Sequence, residues 1–109
     1  MAVEEKKEKP SRLEYMRMLA ESGYSDAVIL RRETASEVLT DERMRIVDTL
    51  RDEEVESMTE LADVLGREKS AVKRDLDILF KYDIVEYEKK GRKKAPSLKH
   101  AHIFVEPVV

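Results

Sequence analysis

Residues 58–94, MTELADVLGREKSAVKRDLDILFKYDIVEYEKKGRKK, contain the pattern that decides the fold. Ser57 and Glu60 stand three residues apart, as at the start of a capped helix, and Gly66 stands where a left-handed residue ends one. A stripe of apolar residues then recurs at helical spacing: Val72, Leu76 and Leu79. This spacing predicts a second helix over residues 69–82. Two helices joined by a tight turn are typical of a helix-turn-helix.

A basic hairpin is predicted directly after the second helix. Residues 84–89 and 93–95 read as two short strands joined at Lys90-Gly91-Arg92. The run KKGRKK, residues 89–94, lies at the tip of this hairpin.

The preceding segment predicts further helices and one strand. Ser11 and Glu14 form a capping-box pattern ahead of a helix that Gly23 ends. Its apolar positions are Leu13, Met16, Leu19 and Ala20. The run Ala27–Leu30 predicts a strand, and residues 35–39 predict a short helical turn.

The remaining elements complete the domain. Thr40 is placed to cap a helix whose buried stripe is Ile46, Val47 and Leu50. Residues 101–105 predict a last strand. We therefore expect a disordered tail over residues 1–11, an N-terminal extension over 12–39 and the main domain over 40–109.

The composition excludes several classes of protein. The 109 residues suit one domain, and the absence of cysteine excludes disulfides and thiolate metal sites. No apolar run approaches the length of a membrane span, and the N-terminus lacks the apolar segment of a secretory signal. No set of nucleophile, base and orienting group is evident. We expect a cytoplasmic protein that is not an enzyme and needs no cofactor.

The charge is unevenly distributed along the chain. The formal net charge of −3 argues against a nucleic-acid partner, because such domains are often basic. However, residues 41–66 carry three basic and nine acidic side chains, whereas residues 67–94 carry ten basic and six acidic ones. The positive charge is thus concentrated on the second helix and the hairpin.

The outer face of the second helix carries the candidate base contacts. With the apolar stripe turned inward, Ser70 and Arg74 point outward and Lys73 lies on the flank. These side chains can reach base edges in a major groove. Phosphate contacts are predicted for the other cations of this region: Arg67, Lys69, Lys89, Lys90, Arg92, Lys93 and Lys94.

This segment resembles the winged helix-turn-helix of MarR-like transcriptional regulators, on the pattern E-L-A…L-G, a helix ending in L…L, then I-V and a wing. The flanking pieces VLTDERMRIVDTL and HIFVEP resemble short archaeal predicted regulators of that type. The resemblance covers residues 35–106 and implies a recognition helix over 69–81 and a wing over 84–95. One departure is Lys81-Tyr82-Asp83, which stands where a glycine often precedes the first strand of the wing.

Each of these features also has a simpler interpretation that involves no ligand or partner. The basic helix face is also consistent with an ordinary solvated surface, and KKGRKK with a solubilising turn or a guard on a strand edge. His100 and His102 lack a third ligand for a metal. The apolar face that includes Leu13 and Met16 suits either packing onto the domain or a dimer contact.

The sequence as a whole predicts an α+β, mainly helical winged helix with a three-helix core, a hairpin wing and an N-terminal helix and strand. The predicted function is a homodimeric, sequence-specific regulator that binds double-stranded DNA without an evident effector. The alternative is a winged helix that serves as a protein–protein adaptor in a transcription or replication assembly. The net charge of −3 favours this alternative.

Overall fold

The computed structural model describes residues 11–24 and 26–106, and within them the chain forms five helices and four strands. The helices are α1 (Arg12–Glu21), α2 (Arg32–Val38), α3 (Asp41–Asp52), α4 (Met58–Leu65) and α5 (Lys69–Lys81). The strands are β1 (Ala27–Leu30), β2 (Val85–Lys90), β3 (Lys93–Leu98) and β4 (His102–Val105). The predicted tail lies outside the described residues except for Ser11.

Side-chain caps define where three of the helices begin. The Ser11 hydroxyl accepts the backbone N–H of Glu14, whose carboxylate accepts the N–H of Ser11, so the predicted capping box is confirmed. Thr40 caps α3 and Ser57 caps α4 by accepting the N–H three residues further on. Each cap satisfies a backbone donor that the helix itself leaves unpaired.

Helices α3, α4 and α5 surround the core. The core side chains on these helices that are fully shielded from solvent are Ile46, Leu61, Val72, Leu76 and Leu79. The predicted inward face of α5 is therefore confirmed. The same apolar cluster includes Leu30, Ala35 and Val38, so the N-terminal extension shares the core of the helix-turn-helix.

The wing is an antiparallel hairpin of β2 and β3 with Gly91 at its turn. Gly91 has a φ of 65°, a left-handed conformation that glycine adopts without steric cost. The return strand was predicted to end at Ala95, and this is wrong, because β3 continues to Leu98 through Pro96, which lies opposite Tyr87. A strand at the edge of a sheet tolerates proline, since alternate N–H groups point away from the partner strand.

The first and last strands pair in parallel. Val28 lies opposite Ile103 and Ile29 lies opposite Phe104, which joins the N-terminal extension to the end of the chain. Asp26 holds this junction, because its carboxylate accepts from His100 Nδ1 at 3.0 Å and from the Ala101 N–H at 3.2 Å. The hydrogen bond from His100 is the main reason that the pKa of Asp26 is lowered.

One further boundary differs from the prediction. Helix α2 begins at Arg32, three residues before the predicted helical turn, because the apolar pattern marks only its buried residues Ala35 and Val38. In the described part of the chain, no helix is both long and apolar enough to cross a membrane.

Candidate nucleic-acid interface

The turn between α4 and α5 sets the angle of α5, the predicted recognition helix. Gly66 ends α4 with a φ of 66°, as predicted, and the next N–H, of Arg67, donates to the carbonyl of Ala62 at 3.0 Å. Helix α5 then packs its apolar stripe inward. The outer face of α5 is therefore held in one orientation relative to the body of the domain.

The candidate base-contacting residues lie together on the exposed side of α5. Ser70 and Arg74 are exposed, and neither forms a side-chain hydrogen bond or ion pair with any other described residue. Lys73 is exposed as well and pairs with Asp77 at 3.2 Å. An exposed pair of this kind contributes little to stability, so Lys73 can exchange Asp77 for another anion.

Arg67 lies in a different environment from that predicted for a phosphate contact. Its Nη1 is 2.9 Å from Oδ2 of Asp75, and the two side chains are only 18% and 14% exposed. Arg43 of α3 reaches the other carboxylate oxygen of Asp75 at 3.1 Å. Arg43 also donates to the carbonyls of Glu37 and Val38 at the end of α2.

Asp75 and Arg43 were missed in the sequence, although a signal was present. Asp75 falls three residues after Val72 and one before Leu76, which places it on the buried side of α5. A carboxylate on such a face requires a cationic partner, because an unpaired buried charge is costly. The pattern does not reveal which arginines supply that partner.

The wing concentrates like charges at its tip. Lys89 lies opposite Lys94, and Lys90 lies opposite Lys93, in the last two pairs before the turn. Like charges directly opposite each other on adjacent strands destabilise a hairpin. Between Lys89 and Lys94 an external anion would relieve this repulsion, and this pair is therefore suited to bind phosphate.

Lys90 is the exception among the cations of the wing. Its Nζ donates to Glu54 at 2.8 Å and to Glu56 at 3.2 Å, both in the loop between α3 and α4. These hydrogen bonds raise the pKa of Lys90 above its usual range. The structure thus gives Lys90 partners within the protein, in contrast to the phosphate contact predicted for it.

A groove brings cations from the wing and from α5 together. Its volume is about 580 Å³, and its basic lining comprises Lys69 at the start of α5 and Arg92, Lys93 and Lys94 of the wing. The beginning of α4, including the cap residue Ser57, also lines the groove. Glu60 and Asp63 also line the groove, so its charge is mixed and its positive side is the wing.

Two aromatic rings connect helix α5 to strand β2 of the wing. The ring centroids of Phe80 and Tyr87 are 5.5 Å apart. Burial and the nearby charge of Asp77 raise the pKa of Tyr87. Phe80 remains 52% exposed and was missed in the sequence, because it follows Leu76 by four residues and so lies at the edge of the apolar face, where spacing alone does not settle exposure.

The two histidines lie away from this interface. His100 hydrogen-bonds Asp26, and the ring of His102 packs edge-on against Tyr24 at a centroid distance of 5.0 Å. Within residues 11–24 and 26–106, no group of three or more potential ligands is arranged to hold a metal ion.

Comparison with solved structures defines the class of fold. The chain is similar to reduced HlyU from Vibrio cholerae, with 21% identity, a TM-score of 0.56, and coverage of 79% of this chain and 83% of HlyU. It is also similar to a transcriptional regulator, HlyU from Vibrio vulnificus, with 20% identity, a TM-score of 0.57, and coverage of 84% and 85%. A third similar structure is the homodimeric winged helix-turn-helix DNA-binding domain of Mb0332 from Mycobacterium bovis, a possible ArsR-family regulator. It has 18% identity, a TM-score of 0.56, and coverage of 76% and 70%.

These likenesses and the geometry above show a winged helix-turn-helix fold, α+β and mainly helical, as predicted. The chain belongs to the HVO_A0114 family, whose profile matches residues 38–105. No curated protein sequence matches the chain significantly. The MarR-like and archaeal character inferred from the sequence stays a prediction.

Proposed function

We propose that this protein is a sequence-specific regulator of transcription that binds double-stranded DNA and is not an enzyme. The observation that carries this proposal is the groove in which Lys69 of α5 meets Arg92, Lys93 and Lys94 of the wing. Cations from two elements converge there beside the exposed face of α5. The winged-helix structures to which the chain is similar include proteins described as transcriptional regulators.

The roles of the side chains follow from their exposure. Ser70, Lys73 and Arg74 would contact base edges in the major groove, since they occupy the outer face of α5. The exposed cations would contact the phosphates: Lys69, Lys89, Arg92, Lys93 and Lys94. Phosphate contacts were also predicted from the sequence for Arg67 and Lys90. Both already have carboxylate partners in the structure, and they are left out of the proposed interface.

A homodimer is part of the proposal. Leu13 and Met16 on α1 are exposed, at 64% and 44%, and Tyr24 lies exposed just after that helix. Apolar side chains grouped in this way favour association with a second copy. The extension over residues 12–39 would then place two recognition helices about one turn of DNA apart on a pseudo-palindromic site. The Mb0332 domain is itself described as homodimeric.

Selection of bound fragments from random double-stranded DNA, near physiological salt, tests the proposal directly. We expect enrichment of a two-fold related sequence with a fixed half-site spacing. Replacing Lys93 and Lys94 with alanine should weaken binding to all sequences and reduce the slope of log affinity against log salt concentration by about two. Absence of salt-dependent binding to any duplex would contradict the proposal.

Arg74→Ala tests base recognition separately. Loss of this side chain should cost about 1–3 kcal/mol on the selected sequence and relax the preference at one position of each half-site. Lys81→Ala is the matched control, because Lys81 is an exposed cation at the far end of the same helix. Affinities for the selected sequence and for its single-base variants provide the measurement. Equal effects of the two substitutions would remove Arg74 from the proposed base contacts.

A protein–protein adaptor is the second candidate function. The observation that favours it is the exposed ring of Phe80 beside Tyr87, together with the net charge of −3. Affinity capture from cell extract with and without nuclease distinguishes the two functions. A partner that is retained after nuclease treatment, and lost with Phe80→Ala, would support the adaptor.

A further inference from the structure

The tip of the wing is held to the body of the protein by one lysine and two glutamates. Lys90 Nζ lies 2.8 Å from Glu54 Oε2 and 3.2 Å from Glu56 Oε2. The Lys90 side chain is 27% exposed, whereas the carboxylates of Glu54 and Glu56 are largely open to solvent. The hydrogen bond from Lys90 also lowers the pKa of Glu54. We refer to Glu54, Glu56 and Lys90 as the acidic clasp.

The clasp lies beside the groove that is proposed to bind DNA. Lys90 pairs with Lys93 in the register of the hairpin and directly precedes the turn at Gly91 and Arg92. Glu56 directly precedes Ser57, the cap of α4. Because Lys93, Arg92 and Ser57 all line the groove, the clasp joins the part of its lining that comes from the wing to the part that comes from the start of α4.

This contact has two opposing effects on DNA binding. It neutralises one cation of the wing and leaves two exposed carboxylates next to the tip, which weakens attraction to any phosphate backbone. It also fixes the position of the tip relative to α4 before DNA binds. Binding of a DNA whose backbone fits that position then costs less conformational entropy, because the tip is already ordered. A non-specific DNA whose backbone does not fit the tip is bound more weakly because of the lost charge. It gains little from the fixed position of the tip.

We propose that the acidic clasp increases selectivity for the operator over other DNA by withholding Lys90 from phosphates and fixing the tip of the wing. Glu54 and Glu56 act as positioning residues through Lys90. This inference rests on the proposed function, because it requires that the groove bind DNA.

The test begins with binding of a random-sequence duplex, measured by fluorescence anisotropy over a range of salt concentrations. In Glu54→Gln/Glu56→Gln, Lys90 becomes available to a phosphate. We expect affinity at 0.1 M salt to rise roughly eightfold and the salt slope to steepen by about one, as one further phosphate contact predicts. Glu86→Gln/Glu88→Gln is the matched control, since these exposed wing glutamates form no ion pair with another described residue.

Lys90→Met, introduced into the wild-type protein and into the double glutamine variant, measures the contribution of Lys90 to DNA binding separately. In the wild-type protein it should leave the salt slope unchanged, because the charge is already neutralised by the clasp. In the double glutamine variant it should reduce the slope by about one. Thermal unfolding of each variant confirms that the compared proteins are folded.

The outcomes separate the two proposals. No salt-dependent binding of duplex DNA by the wild-type protein would contradict the proposed function itself. The wild-type protein could instead bind DNA in a salt-dependent way and lose the same salt slope as the double glutamine variant when Lys90→Met is introduced. That result would show that Lys90 already contacts phosphate in the wild type, and it would overturn the proposed role of the clasp. The ratio of affinities for selected and random DNA should fall in the double glutamine variant, and an unchanged ratio would overturn the role in selectivity.

Discussion

At the scale of single residues, Asp75 is the charge that ties helix α5 to its neighbours. It lies on the inner side of α5 and receives Arg43 from α3 and Arg67 from the turn that precedes the helix. Arg43 in addition holds the last carbonyls of α2. One carboxylate thus links three helices and the turn, and it does so where water is mostly excluded.

Asp75→Asn should destabilise the fold, because it leaves two partly buried arginines without a counter-charge. We expect the free energy of unfolding to fall by about 2–3 kcal/mol. Asp77→Asn, two positions further on, removes an exposed partner of Lys73. This substitution should change the free energy of unfolding by less than about 0.5 kcal/mol. Urea denaturation of the three proteins provides the comparison. If the two variants lose equal stability, the ion pairs of Asp75 with Arg43 and Arg67 do not hold α5 in place.

At the scale of elements, the joints around α5 depend on two residues in the left-handed region. Gly66, with a φ of 66°, precedes the helix, and Asp83, with a φ of 65°, follows it. Asp83 occupies the position where the resemblance to MarR-like regulators led us to expect a glycine. The structure keeps the glycine-like backbone without the glycine, since aspartate tolerates this conformation better than most residues.

Asp83→Gly should therefore stabilise the protein by about 0.5 kcal/mol, as the steric strain at this joint is relieved. The lost ion pair with Lys99, at 3.1 Å and exposed, offsets only part of this gain. Asp83→Ala is the control, because it removes the same ion pair but keeps a Cβ, and it should cost about 1 kcal/mol. Thermal unfolding measured for all three proteins should rank glycine first and alanine last. An alanine variant as stable as the glycine variant would show that backbone strain is not the cause.

At the scale of the whole molecule, the exposed apolar residues of α1 bear on its assembly. Helix α1 touches the rest of the described chain through the Tyr15 hydroxyl, which donates to the Val105 carbonyl at 3.2 Å. Its opposite side presents Leu13 and Met16 to solvent. This exposed face is where we propose that a second copy binds.

Met16→Glu should weaken the proposed dimer at least about tenfold, because an unpaired carboxylate would enter the apolar contact. Val64→Glu is the control, since Val64 is also an exposed apolar residue but lies on α4. Sedimentation equilibrium over a range of concentrations measures the association. A dimer that survives Met16→Glu and dissociates with Val64→Glu would place the contact on the helix-turn-helix instead.

Much of the fold could be predicted because local patterns and burial agree. The caps at Ser11 and Thr40, the left-handed Gly66 and the buried stripe of α5 all depend on near neighbours in the chain. The length of β3 was misjudged because Pro96 imitates a strand end, and only its pairing with Tyr87 shows otherwise. The register of a hairpin leaves no periodic trace in a single sequence.

The sequence alone determined that a basic hairpin follows an amphipathic helix, because spacing and charge order are properties of the chain itself. Only the tertiary structure decided which cations have carboxylate partners within the protein. Arg67 and Lys90 resemble their neighbours in the sequence, yet folding places them within reach of Asp75, Glu54 and Glu56. Charges act through distance and burial, and these depend on residues far apart along the chain.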